Sequence, residues 1–271
     1  MNNNYYVFTV IDVDYIDVSI VFLELFTSTN PNVLLHIHCL NFSNETFNSF
    51  KEKVSRYSNI LLVQETSTVV YRNSCNKISK YSYYQHVSTA MFKLEILARK
   101  YKPYMMHLDV DILVRKDISE LFLEYSEDIV ALYEYGIGVF NVGVCIIHST
   151  INFSMDDICQ TTDSLPEEVI IAKLCKSHKE LDLSYNSSRF KSVEDPHIFH
   201  FLTHIKPWST DKIDITRVLG NVLFKYYYEW YDVYDRVEDL LSNPFKAIVQ
   251  SCRTKYLKYL NIENTLRNNQ L

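Results

Sequence analysis

Short runs rich in β-branched and aromatic residues alternate along this chain with segments whose apolar residues recur at helical spacing, and that alternation is the strongest constraint on its fold. Residues 5–11 (YYVFTVI), 33–40 (VLLHIHCL) and 59–65 (NILLVQE) are apolar on both faces, as strands covered on both sides are. Between them, 16–28 (IDVSIVFLELFTS) and 44–57 (NETFNSFKEKVSRY) read as helices, the second capped by Ser43 or Asn44. Strand–helix–strand units with short connections predict a right-handed parallel arrangement. A further amphipathic helix is expected over 86–101, and strands over 104–114 (YMMHLDVDILV), 128–132 and 138–148 (GVFNVGVCIIH). Residues 165–177 and most of the chain beyond 214 read as helical. With no Pro/Gly linker and no internal repeat, the expectation is an α/β fold. One Rossmann-like domain with a mostly parallel, mixed central sheet would span 1–213, and a helical extension 214–271.

Composition narrows the function classes. Hydrophobic residues make up 47% and charged residues 22%, enough to bury a proper core. Asp plus Glu number 33 against 27 Lys plus Arg, a net charge of −6 that gives no bulk attraction to nucleic acid. Only four glycines are present, which argues against several Gly-rich phosphate loops. Cys39, Cys75, Cys145, Cys159, Cys175 and Cys252 form no CxxC and no close Cys/His pairing, so neither a zinc knuckle nor a secreted disulfide scaffold fits. No basic segment precedes an apolar stretch at the N-terminus, and Asp12 and Asp14 interrupt the first hydrophobic run. A signal peptide or membrane span is therefore not expected, and a cytoplasmic location is. Beyond residue 245, Lys246, Arg253, Lys255, Lys258 and Arg267 face Glu263 alone. Such a tail could rest peripherally on anionic lipid, while a solvated helix explains the same charges. A homodimer stays open.

Chemistry concentrates in a few places. Asp109-Val110-Asp111 ends the run YMMHL, and residues i and i+2 of a strand share a face, so the two carboxylates would converge. Two like charges that close are costly without a cation; a hard divalent ion would relieve the repulsion and hold a diphosphate. Two acids solvated at a strand end are the plainer alternative. In HFLTHIKPW (200–208), an imidazole could complete the coordination of a borderline ion, and Lys206 could neutralise an outer phosphate. A surface His cluster beside a Trp anchor is the alternative there. In VFNVGV (139–144), Asn141 offers donor and acceptor together and Gly143 allows close approach, although the segment could simply be a bulge. The run FKYYYEWYDVY (224–234) reads as a packed helical surface, with stacking faces for an acceptor as the other possibility.

Taken in this order, VIDVDYI, HLDVDILV, VFNVGV and the later KPW resemble glycosyltransferase family 8, the retaining group that includes glycogenin and bacterial lipopolysaccharide galactosyl- and glucosyltransferases. The resemblance covers roughly residues 5–210. It implies a GT-A fold and a UDP-sugar donor, UDP-glucose or UDP-galactose, with a carbohydrate or protein acceptor. It places Tyr15 on the uracil and Asp12 at its edge, with Asp14 beside them. It maps Mn²⁺ or Mg²⁺ onto Asp109, Asp111 and His200, with Val110 in the same nucleotide-binding segment. Lys206 falls on the family's KPW lysine, and Asn141 and Gly143 on its NxG segment. Lys93 stands where the family carries Arg, and Thr203 where it carries Gly. Pro166-Glu167-Glu168 replaces its Asp-Gln-Asp, which puts Glu167 by the anomeric carbon. An exposed helix N-terminus favoured by the dipole is the other reading of Glu167 and Glu168. Tyr133 or Glu134 replaces an Asp. Nucleotide and metal positions are thus kept better than sugar positions.

The reaction so implied is transfer of a hexose with retained anomeric configuration. No residue is a convincing covalent nucleophile, so same-face displacement through an oxocarbenium-like state is expected. A non-catalytic nucleotide-sugar-binding protein is the alternative. A haloacid dehalogenase-type phosphatase is disfavoured, because Ile16 occupies a position where that chemistry wants Thr or Val and no GDxxxD follows.

Overall fold

A computed structural model describes residues 4–66, 87–134, 138–151, 167–202, 206–209 and 223–268. The expectations for Cys75, Cys159, Pro166 and Thr203 lie outside them. The chain opens with β1 (Tyr5–Ile11), α1 (Ile16–Thr29), β2 (Leu35–Leu40), α2 (Asn44–Val54) and β3 (Ile60–Glu65). Ser43 caps α2, its hydroxyl accepting the Thr46 N–H at 3.1 Å. Then come α3 (Val87–Ala98), β4 (Tyr104–Leu108), β5 (Ile112–Val114), β6 (Ile129–Glu134) and β7 (Val139–His148). The rest comprises α4 (Glu167–Leu174), β8 (His178–Glu180), β9 (Ser187–Ser188), β10 (Ile198–His200), α5 (Leu223–Val237) and α6 (Asn243–Asn268).

The main sheet runs β3-β2-β1-β4-β7-β6-β8. β1 to β4 pair in parallel, β7 runs antiparallel to both its neighbours, and β8 is parallel to β6. The period-2 alternation of apolar residues fills both faces. Val7, Ile11, Leu35, Ile37, Met106 and Leu108 join the core beneath α1, α2 and α5. Tyr6, Phe8, Val10, Leu40 and Met105 join the core beneath α3 and α4. Between β3 and β4 the chain crosses back over β1, so β1 and β4 flank a topological switch point, where open α/β sheets leave a crevice beyond the strands' carboxyl ends.

Two features shape the site, the first a departure from the sequence reading and the second the bulge that VFNVGV left open. The expected strand 104–114 is two strands in two sheets: the chain leaves the main sheet after Leu108, bends through 109–111, and enters a small sheet of order β5-β10-β9. The second is a bulge in β7. Ala131 of β6 faces Cys145, but the next residue, Leu132, faces Asn141, leaving Val142, Gly143 and Val144 as extra backbone pushed toward the end of β4.

The tyrosine-rich run is a packed helix. Tyr226, Tyr227, Trp230, Tyr231 and Tyr234 of α5 are buried in the same core as α1, while Tyr228 is exposed. Arg115, at the end of β5, ties this helix to the small sheet: its Nη2 donates to Glu229 at 3.1 Å and its Nη1 to Asp195 at 2.8 Å. Among the described residues no helix is long and apolar enough to cross a membrane. In the basic tail, Arg253 is engaged within the chain, forked onto Asp235 at 2.7 and 2.9 Å.

Candidate active site

Strand pairing, rather than nearness in sequence, assembles the site. His200 ends β10 opposite Ile112 of β5, and the N–H of Phe201 donates to the carbonyl of Asp111 at 3.0 Å. That register sets the imidazole against the residue preceding β5. On the other side, the N–H of Asp109 donates to the carbonyl of Gly143 at 2.7 Å, so the β7 bulge holds the bend from beneath. Asp109, Asp111 and His200 each offer a ligand atom, and these atoms lie within 4.8 Å of one another. Nε2 of His200 is 3.3 Å from Oδ1 of Asp111 and 3.9 Å from Oδ2 of Asp109.

The two carboxylates differ in surroundings. Lys93, buried on α3, places Nζ 3.4 Å from Oδ1 of Asp109. Burial pulls the Lys93 ammonium down, but the charges of Asp109 and then Glu167 outweigh it and hold it above its ordinary value. Nε2 of His107 lies 3.5 Å from the same Asp109 oxygen. Burial, reinforced by the Lys93 charge, lowers His107 to about 3. The ring is therefore neutral, with Nδ1–H donating to the Val142 carbonyl at 2.9 Å. Lys206 sits on Oδ2 of Asp111. Burial would raise the Asp111 pKa, yet the Lys206 charge above all holds it well below the usual carboxylate range. Oδ1 of Asp111 is buried and has no hydrogen-bond donor.

That orphaned oxygen tests whether a cation fits. A buried carboxylate oxygen without a donor is costly, and here it faces an imidazole nitrogen and a second carboxylate. Two carboxylates and one imidazole make a suitable donor set for a divalent ion such as Mn²⁺ or Mg²⁺. Gly143 is part of the fit: a Cβ there would collide with Cε1 of His200 and stand 2.8 Å from Oδ2 of Asp109.

The remaining expected residues surround this cluster. Asp12, Asp14 and Tyr15 follow β1, and the register Phe8↔His107 puts that strand end beside 109–111. Asp12 caps the short helical turn after β1, accepting the Asp14 N–H at 3.1 Å. Asp14 is exposed, and Tyr15 packs its partly buried ring on the core. Val110 is buried in that core. Lys206 lies 5.8 Å from the Trp208 ring centroid, and Trp208 packs on Trp230 of α5 at 5.1 Å. Pro207 is pinned as well, its carbonyl accepting the Tyr231 hydroxyl at 3.0 Å. Glu167 opens α4, close enough to raise the Lys93 pKa. Its neighbour Glu168 is itself raised to about 7, by burial and then by the charge of Glu167.

Three contacts were not foreseen from sequence. The Lys93–Asp109 pair links an α3 residue to the bend. Asn186, an unremarkable polar residue before β9, is 1% exposed and reaches both Asn141 and His200.

No family model and no curated protein matches the sequence. Solved structures do match in fold. The galactosyltransferase LgtC, in complex with donor and acceptor sugar analogues, superposes with a TM-score of 0.62 at 15% identity, covering 90% of this chain and 99% of that one. The glycosyltransferase GlyE of Streptococcus pneumoniae TIGR4 superposes at 0.60 with 17% identity, over 93% of this chain and 63% of its own. The bifunctional glycosyltransferase WbbM gives 0.55 at 11% identity, over 85% of this chain and 52% of its own. The chain thus has the GT-A fold of these glycosyltransferases, and the resemblance read from sequence is met at the level of the fold.

Proposed function

We propose that this chain is a metal-dependent glycosyltransferase that moves a hexose from a UDP-sugar to an acceptor hydroxyl with retention of configuration. The observation that carries the reading is the convergence of Asp109, Asp111 and His200 beside Lys206, at the switch point of a glycosyltransferase-type fold. Those three residues would hold Mn²⁺ or Mg²⁺, which when bound neutralises the diphosphate and the charge growing on the leaving nucleotide.

The protein's own groups supply the rest. Tyr15 would stack on the base, with Asp12 reading its edge and Asp14 beside them. The bend at Val110 presents backbone to the ribose and phosphate side. Lys206 is an ammonium on a pinned segment, placed to leave Asp111 for the departing phosphate. Lys93 holds Asp109 in its ion pair, so its charge reaches the diphosphate through that carboxylate. Asn141 and Glu167 border the donor-sugar side, where Glu168 adds a carboxyl that titrates near neutrality. The supports for UDP, retention and these sugar-side roles are the sequence resemblance and the placement of the residues around one crevice. A carbohydrate or protein acceptor would approach from the same crevice.

Calorimetry of the full chain with UDP-glucose and UDP-galactose, in Mn²⁺ and in EDTA, tests the reading, with turnover followed by NMR of the released sugar. Metal-dependent binding with a retained anomer at first release is expected. Tight binding without hydrolysis or transfer would make the chain a nucleotide-sugar-binding protein. Equal binding in EDTA would remove the metal assignment.

A further inference from the structure

Asn186 has no part in the reaction proposed above, yet its buried amide sits in a chain of hydrogen bonds ending on His200. The chain starts from a group whose polarity is certain. The backbone N–H of Gly143 can only donate, and it does so to Oδ1 of Asn141 at 3.2 Å. The Asn141 amide is thereby fixed with its oxygen inward. That oxygen also accepts from Nδ2 of Asn186 at 3.0 Å, which fixes the second amide in turn. Oδ1 of Asn186 is then the atom 3.0 Å from Nδ1 of His200. An amide oxygen only accepts, so Nδ1 of His200 carries the hydrogen. The neutral ring has its lone pair on Nε2, the atom facing Asp111 and Asp109.

We propose that Asn186 is a positioning residue for the cation. It selects the His200 tautomer whose Nε2 can ligate and holds the ring plane toward the two carboxylates. The inference rests on the reading of Asp109, Asp111 and His200 as a cation site. Ligating histidines commonly donate their other ring N–H to a second group that fixes tautomer and orientation, and loss of that group costs about 10–100-fold in metal affinity. Here the second group is an amide, locked by another amide, locked by the backbone of the β7 bulge. The bulge therefore sets the ring's chemistry as well as the space beside it. Asn186 is delivered by the turn that leads into β9, whose Ser188 pairs with His200.

Two measurements on the full chain test this. The first is the ¹⁵N NMR spectrum of the metal-free wild type in alkaline buffer, with His200 assigned by comparison with His200→Gln. It should show a neutral ring protonated at Nδ1; protonation at Nε2 overturns the proposal without any change to Asn186. The second is Mn²⁺ titration followed by electron paramagnetic resonance. Asn186→Leu should bind Mn²⁺ about 10–100-fold more weakly, while Asn186→Asp, which keeps an acceptor for Nδ1–H, recovers most of that loss. Thermal unfolding confirms that both variants are folded. Wild-type binding matched by Asn186→Leu overturns the positioning role alone. A wild type that binds no Mn²⁺ overturns the cation site, and this proposal with it.

Discussion

The carbonyl of Gly143 accepts the backbone N–H of Asp109 at 2.7 Å, and the side chain this glycine lacks is what lets Asp109 and His200 close on each other. A Cβ there would lie 2.8 Å from Oδ2 of Asp109 and 2.9 Å from Nδ1 of His200. Gly143→Ala should therefore push apart two of the three candidate ligands. Overpacking of this kind costs about 1–3 kcal/mol, and Mn²⁺ affinity should fall by about tenfold or more. Urea unfolding and calorimetry read the two effects. Unchanged affinity with unchanged stability would show that ring and carboxylate move aside freely.

Removal of the Lys206 ammonium should act on the bond-breaking step. The side chain sits on Asp111, within reach of the Trp208 ring, on a segment pinned through Pro207. Charge on the leaving phosphate grows as the glycosidic bond breaks, so this contact strengthens toward the transition state. Lys206→Ala should lower kcat for donor hydrolysis by about 10²-fold, the scale of losing one preorganised donor, with a smaller change in KM. A loss confined to KM would make Lys206 a binding residue only.

Base recognition should depend on Tyr15. Stacking of a base on an aromatic ring is worth about 1–3 kcal/mol. Since Tyr15 also packs on the core, Tyr15→Leu is the informative change, keeping apolar bulk while removing the ring. It should weaken UDP binding about tenfold in Mn²⁺. GDP binding to the wild type as tightly as UDP would count against Asp12 as an edge-reading group.

Away from the site, His38 should make stability pH-dependent. It is fully buried, with Nδ1 2.9 Å from Glu65 and Nε2 3.1 Å from the Tyr6 hydroxyl. Burial lowers it to about 4, despite the raising effect of Glu65. A depressed pKa favours the fold above the unfolded value of about 6.5, and that contribution is lost as pH falls from there toward 4. The loss is on the order of 3 kcal/mol. His38→Gln should flatten unfolding free energy over this window. It leaves the slopes of His107 and His36, both lowered by burial, and the opposing slope of Glu168, raised to about 7. An unchanged slope would mean that His38 takes up its proton without cost.

The elements were legible where periodicity is local. The first strands and helices fall where their apolar spacing puts them, because β1 and β2 are buried on both faces and each helix on one. β3, expected to be covered on both sides, packs only Ile60 and Leu62 on the core and leaves Leu61 exposed. The Asp109–Asp111 convergence was anticipated for the wrong reason. The apolar runs on either side of the acids look like one strand, and nothing local reveals that Ile112 belongs to another sheet. The carboxylates meet across a bend, not on a strand face. His200 was reached only through the family resemblance, since its place depends on a pairing with β5 far back in the chain. Lys93–Asp109 and the Asn141–Asn186–His200 contacts left no trace, because polar residues carry no period.

The candidate ligands come from both sheets, Asp109 from the end of β4 in the large one and His200 from β10 in the small one. An ion shared by them would add a strut to the joins already made by the short bend, by the packing of α1 and α5, and by the Asn141–Asn186 hydrogen bond. Its binding energy would then be felt unevenly. Amide exchange should slow most in β5 and β10 when Mn²⁺ is added, and least in β2 and β3, which hold none of the ligands.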